Sequence, residues 1–197
     1  MVSIERLFCL ISPKSLDIAA VMGGFGVFSK DDAIGVIAMI QGKFPIGARV
    51  LETRVNDDID MKNTLISALS ARFVTENLKP KAANALALMV ISEVCNSRTC
   101  KACNGTGYRL PRRYDAYSGC PNCAGTGVRL NTTNNLAGTF SSMVNVLVTQ
   151  EQFSKVFYDL YMDAVDDLYN QVNAAERYGY QILNIIKNEH FGVASND

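Results

Sequence analysis

A single histidine, His190, stands among 197 residues, and that scarcity removes most nucleophilic and acid–base catalysis from consideration. A Ser/His/Asp or Cys/His arrangement would have to draw its base from this one residue, which lies beside an expected helix end. No G-x-x-x-x-G-K-S/T phosphate loop occurs, and the one Gly-Lys pair, Gly42-Lys43, is followed by Phe44. Neither C-x-x-C sits near a βαβ pattern, which counts against thiol redox catalysis. Apolar stretches are broken by charge or glycine before membrane-spanning length. The opening residues lack a positive leader and a small-residue cleavage site. The chain is therefore expected to be a non-enzymatic cytoplasmic protein without a membrane partner.

Net charge is also absent, with 19 basic and 19 acidic residues, but the balance hides an asymmetry. The first 97 residues hold ten of each sign. Between Arg98 and Arg129 six bases face one acid, Asp115. Leu130 to Val148 carries no charge, and Thr149 to Asp197 holds eight acids against three bases. Such polarity suits an anionic partner at the basic stretch and a different partner at the acidic end.

What the chain does have is one short module written twice: Cys100-Lys-Ala-Cys103-Asn-Gly-Thr-Gly107 and Cys120-Pro-Asn-Cys123-Ala-Gly-Thr-Gly127. Two residues separate the sulfurs of each pair, and sixteen separate the pairs. That spacing lets two tight turns present four thiolates to one tetrahedral Zn²⁺. The glycines supply positive φ where the chain wraps the metal, and their N–H groups can face the sulfurs. Two disulfides are the bland alternative, disfavoured in a leaderless chain. An iron–sulfur centre is the other, and the paired knuckle spacing favours zinc over it. Four cysteines close the coordination sphere, so the expected role of the single Zn²⁺ is structural. Bound as thiolates, they leave the basic stretch at +3. Cys9 and Cys95, on apolar segments, are expected to be buried.

Apolar spacing predicts a mainly α protein: a helical domain with an inserted four-cysteine zinc-knuckle or ribbon module and a helix-turn-helix-like C-terminal part. The expected divisions are an N-terminal helical region at 1–97, the zinc-binding module at 98–129, and a C-terminal helical region at 130–197 packed with 56–97 as one domain. Ser15 caps a short helix through Val21, and Asp31 to Ile40 forms a second. Gly42 to Arg54 reads as a loop or short strand. A long helix starts at Asn56 or Asp57, buries Ile59, Leu65, Ile66, Leu69 and Phe73, and ends near Leu78. Pro80 opens the next helix, which runs to about Cys95. Asn131 to Asn135 reads as a turn, followed by a short helix from Thr139 to Leu147. Thr149 with Gln152 forms a capping box. The apolar stripe from Phe153 to Leu168 is one helix, with Asp163 and Asp166 on its solvated face, and Asn173 to Asn188 is another.

Two stretches suit nucleic acid. The loop from Tyr108 to Tyr114 places Arg109, Arg112 and Arg113 between metal-fixed ends, and Arg129 closes the same basic stretch; guanidinium groups held in place contact phosphates. The second is the helix pair around Thr149, a helix-turn-helix arrangement whose Gln150, Gln152 and Lys155 reach base edges or phosphates.

Ser12-Pro-Lys-Ser15, the doubled C-x₂-C-x-G-T-G and Thr149-Gln-x-x-Phe-Ser-Lys155, with Leu160-Tyr161 and Gln181-Ile-Leu-Asn-Ile-Ile-Lys187, resemble the lambda-type antitermination protein Q of lambdoid phages. The resemblance covers about Ala82 to Lys187, while residues 16 to 80 match poorly. It implies a late-gene transcription regulator in the bacterial host cytoplasm. Such a regulator binds a double-stranded DNA element in the late promoter. It engages RNA polymerase through the β flap and the σ factor, often with NusA, and makes the elongating complex resistant to terminators. It also implies Cys100, Cys103, Cys120 and Cys123 as zinc ligands, and Gln150, Gln152, Ser154 and Lys155 as a DNA-reading element. The loop between the cysteine pairs is shorter here than in the lambda representative, so the arginines rest on charge reasoning alone. The alternative function is a zinc-stabilised protein–protein adaptor, or a chaperone-type zinc module as in J-domain co-chaperones. Those chaperones carry four such copies and a His-Pro-Asp tripeptide, whereas here two copies occur and His190 precedes Phe191.

Overall fold

A computed structural model describes residues 4–11, 30–56, 59–96, 100, 102–109, 118–127 and 131–192. The predicted Ser15–Val21 helix and the motif Ser12 to Ser15 lie outside the described residues. The protein is mainly helical, with four cysteines clustered together. Among the described residues there are eight helices: α1 (Ile4–Ile11), α2 (Lys30–Lys43), α3 (Pro45–Asn56), α4 (Ile59–Thr75), α5 (Pro80–Cys95), α6 (Thr133–Val144), α7 (Gln150–Val156) and α8 (Tyr158–Gly192). Two short strands, β1 (Tyr108–Arg109) and β2 (Ser118–Gly119), pair antiparallel. No helix among the described residues is long and apolar enough to cross a membrane.

The chain divides into two compact units, one formed by 1–95 with 162–197 and the other by 96–161. These divisions differ from the expected 1–97, 98–129 and 130–197. α6 and α7 fall with the cysteine module, and only residues from Met162 onward fall with the N-terminal helices.

In the first unit the core is built from one face of each helix: Ile4, Leu7 and Phe8 of α1, Val36, Ile37 and Ile40 of α2, Leu51 of α3, Phe73 of α4 and Leu86 of α5 are all buried. Gly47 of α3 lies so close to α8 that a Cβ there would overlap the Gln171 carbonyl oxygen. Arg54 of α3 ties several helices: its guanidinium donates to the Val94 carbonyl at 3.0 Å, pairs with Glu5 at 3.6 Å and lies 5.6 Å from the Tyr169 ring centroid. Arg72 of α4 bonds Asp167 of α8 at 2.8 Å. α4 ends in a Schellman motif, with Asn77 left-handed at φ 70°, Leu78 N–H donating to the Phe73 carbonyl and Asn77 N–H to the Val74 carbonyl, both at 3.1 Å. That motif stops α4 at Thr75, before the expected Leu78.

Several expectations need correction. Gly42 to Arg54 is neither loop nor strand: α2 continues to Lys43, and α3 starts at Pro45, whose fixed φ suits a first helical position. Asn131 to Asn135 is not a turn, because the Thr132 hydroxyl accepts the Asn135 N–H at 3.3 Å and starts α6 there. The stripe after Phe153 is interrupted at Phe157, yet no break separates Leu168 from Asn173. Val172, Ala175 and Ile182 carry the buried stripe onward, so α8 runs continuously for 35 residues. Ile59 is exposed rather than buried, whereas Leu65, Ile66, Leu69 and Phe73 are buried as expected. Cys9 is exposed and Cys95 half-buried, so neither is the buried thiol its apolar setting suggested.

The second unit contains the cysteine module, α6 and α7. Phe140 and Phe153 are fully buried and meet edge to face at 5.5 Å, with Phe157 4.4 Å from Phe140. Between the helices Asn145 adopts φ 55° and the Ser141 carbonyl accepts the Asn145 and Val146 N–H groups. The Ser141 hydroxyl accepts the Val148 N–H at 2.9 Å, closing the turn, and the capping box at Thr149 then starts α7.

Candidate metal centre and nucleic-acid interface

Each cysteine pair closes a tight knuckle through the same bonds. The Cys103 and Gly105 N–H groups donate to the Cys100 carbonyl at 3.3 and 3.2 Å, and those of Cys123 and Gly125 to the Cys120 carbonyl at 3.4 and 3.2 Å. The threonine of each repeat braces its turn, with Thr106 donating to the Cys103 carbonyl at 2.8 Å and Thr126 to that of Cys123 at 2.6 Å. Asn104, Gly105 and Gly107 have φ of 48°, 82° and 76°; Ala124, Gly125 and Gly127 have 49°, 83° and 74°. Sequence alone suggested the glycines but not the two left-handed non-glycine residues, and the repeated threonine was the overlooked signal.

The knuckles interlock reciprocally. Cys100 N–H donates to the Gly127 carbonyl at 2.9 Å, and Cys120 N–H to the Gly107 carbonyl at 2.7 Å. A Cβ on Gly107 would overlap the Gly125 carbonyl oxygen, and one on Gly127 that of Gly105. The backbones thus approach at a distance only glycine permits. β1 and β2 extend this crossing, with Tyr108 opposite Gly119 and Arg109 opposite Ser118.

This framework brings all four predicted ligands together. Their sulfurs lie within 4.8 Å of one another, all four residues are buried, and no disulfide joins them. Cys100 Sγ is 4.0 Å from Cys120 Sγ, and Cys103 Sγ is 3.8 Å from Cys123 Sγ. A tetrahedral ion with metal–sulfur bonds of about 2.3 Å would separate its sulfurs by about 3.8 Å. The donor set and spacing therefore fit a metal ion such as zinc. The Gly127 N–H already points at Cys123 Sγ, 3.3 Å away, as a stabiliser of negative charge on sulfur. Burial opposes ionisation of Cys103, but the Gly107 N–H and the neighbouring thiols bring it down to about 7. At Cys120 burial and the neighbouring thiols push the thiol up to about 11, against the Asn122 N–H. Holding a cation on four thiolates therefore means displacing protons.

The expected DNA contacts are not gathered in the same way. Arg112, Arg113 and Arg129 lie outside the described residues, and Arg109 is placed by its backbone in β1. On α7, Gln150, Gln152 and Lys155 are exposed and Ser154 is half-buried. Two of them already have partners: Gln152 Oε1 accepts the Thr149 N–H at 3.0 Å, and Lys155 Nζ bonds Glu151 at 2.8 Å.

No curated protein matches the chain. A family model does match, over residues 1–99, ending one position before Cys100. That model covers just over half of the sequence, and the chain belongs to the family it describes, conserved hypothetical protein CHP02642.

Proposed function

We propose that this protein is a late-gene transcription antitermination factor of the lambda-type protein Q kind. It binds a double-stranded promoter element through the unit 96–161 and engages host RNA polymerase, leaving the elongation complex resistant to pausing and termination. The ion is zinc, held by Cys100, Cys103, Cys120 and Cys123, and it fixes the ends of the arginine-bearing loop. The observation that carries this reading is the grouping of parts. The four-sulfur cluster and the capped α6–α7 pair share one compact unit, which holds seven basic residues against three acidic ones. A basic unit carrying two short helices joined by a tight turn has the charge and the element order of a DNA reader. The motif resemblance from Ala82 to Lys187 supplies the transcriptional context.

Run-off transcription past a terminator tests it, on a template carrying a lambdoid late promoter, together with a salt titration of duplex binding. Read-through is expected only with the protein present, and the logarithm of the affinity should fall linearly with log salt at a slope of about −0.9 per phosphate neutralised. Unchanged termination together with no salt-dependent duplex binding would leave the zinc-stabilised adaptor as the correct reading.

A further inference from the structure

α2 buries Ala33, Val36, Ile37 and Ile40 on one side, yet its other side carries no charge between Asp32 and Lys43. That outer side presents Ile34, Gly35, Ala38, Met39 and Gly42, with Ile34 43% and Met39 51% exposed. A surface helix ordinarily turns charged residues outward, whereas one that is apolar nearly all round packs on both sides. The glycines point the same way. Elsewhere in this unit helical glycines answer to close packing: a Cβ on Gly47 would overlap the Gln171 carbonyl oxygen, and one on Gly179 would lie 2.7 Å from Ile4 Cδ1. Around Gly35 and Gly42 nothing lies within 4 Å of that position. Glycine weakens a helix relative to alanine, and no packing among the described residues accounts for these two.

We infer that α2 is a dimerisation helix, pairing antiparallel with α2 of a second copy of this chain and crossing it near Ala38. Charge selects both the partner and the direction. Asp32 and Lys43 lie eleven residues apart, about three helical turns, and so share one flank of the outer face. At a rise of about 1.5 Å per residue, antiparallel copies crossing at Ala38 bring each Lys43 to within about 2 Å, along the axis, of the other copy's Asp32. Two ion pairs then close that flank. Parallel copies would instead set acid against acid at one end and lysine against lysine at the other. Lys43 is exposed, 4.2 Å from the Tyr178 ring centroid, and makes no ion pair among the described residues. The same register is self-complementary in shape. Ile34 and Gly42 each stand four residues from Ala38, so the Ile34 of one copy comes level with the notch at the other copy's Gly42. A two-fold pair requires this reciprocity, in which one residue meets a second and the second meets the first. The inference does not depend on DNA binding.

Sedimentation of the full-length protein over a range of concentrations tests it, and a reversible monomer–dimer equilibrium is expected. Ala38→Arg brings two like charges to the crossing point and should weaken that equilibrium by roughly tenfold or more. Position 38 is exposed, so helix content and Tm should be kept. Lys43→Glu and Asp32→Lys should each weaken self-association several-fold. Their equimolar mixture should restore it, since each copy then offers the other an opposite charge. Rescue between two weakened chains cannot arise from a loss of folding. Wild-type protein that stays monomeric up to about 100 µM overturns the inference. So does a dimer indifferent to Ala38→Arg, or a mixture that associates no more tightly than its components.

Discussion

At Gly127 a left-handed φ of 74° coincides with the close approach of the Gly105 carbonyl, so two independent penalties meet at one residue. Gly125, at φ 83°, has only one neighbouring atom near its Cβ position, at 4.0 Å. Gly127→Ala should therefore cost about 2–3 kcal/mol, with weakened metal retention. Gly125→Ala should cost only the backbone share, roughly 1–2 kcal/mol. Melting of the two variants side by side checks the ranking, and equal losses would mean that the interlock is not what the glycine preserves. Elsewhere, burial and then Glu5 raise the Glu176 carboxyl above its ordinary range, only partly offset by Arg54. A carboxyl raised in the folded state favours folding while protonated, and that advantage is lost as pH rises from the ordinary glutamate value of about 4.3 through the folded one. Glu176→Gln should thus raise Tm by about a degree or two at pH 7 and bring no gain below about pH 4. The cysteines were legible in the sequence because tetrahedral thiolate chemistry dictates their spacing. Left-handed Ala124 was not, since alanine gives no sign of positive φ, whereas Asn104 is of a residue type that tolerates it.

At the scale of elements, helix starts with explicit chemistry were readable and helix lengths were not. Pro80 and the Thr149–Gln152 capping box mark starts that the fold keeps. α3 was missed because Gly47 looks like a breaker. Its purpose emerges only from α8, more than a hundred residues away, whose Gln171 carbonyl occupies the space of a side chain. α8 was split because nothing local shows that Val172 and Ala175 prolong the stripe of Leu168. Gly47→Ala makes the point measurable. In an open helix the change would stabilise by about 1 kcal/mol. Here the Cβ must displace backbone rather than a flexible side chain, and overpacking of roughly 1–3 kcal/mol should win. A lowered denaturation midpoint is the expected result, and a raised one would mean that α3 and α8 do not cross so closely.

For the molecule as a whole, the charge map was open to reading in full, because it needs no knowledge of the fold. The seven bases of unit 96–161 belong to a different unit from most of the acids of α8, since Asp163, Asp166, Asp167 and Glu176 fall with the N-terminal helices. The division itself was not readable. A cluster of Phe140, Phe153 and Phe157 joins α6 to α7 within the unit of the cysteine module, whereas their helical spacing alone fitted equally well with a C-terminal bundle. On the reading proposed above, both DNA binding and the order of that unit depend on one ion at the four sulfurs, because metal-binding free energy in such modules is largely folding free energy. X-ray absorption at the zinc edge, combined with metal analysis of the purified chain, addresses this directly. One zinc per chain with four sulfur neighbours at about 2.3 Å is the predicted result, with both zinc and the order of unit 96–161 lost in Cys120→Ser. A folded chain that holds no metal, or zinc bound through nitrogen or oxygen instead of four sulfurs, would contradict it.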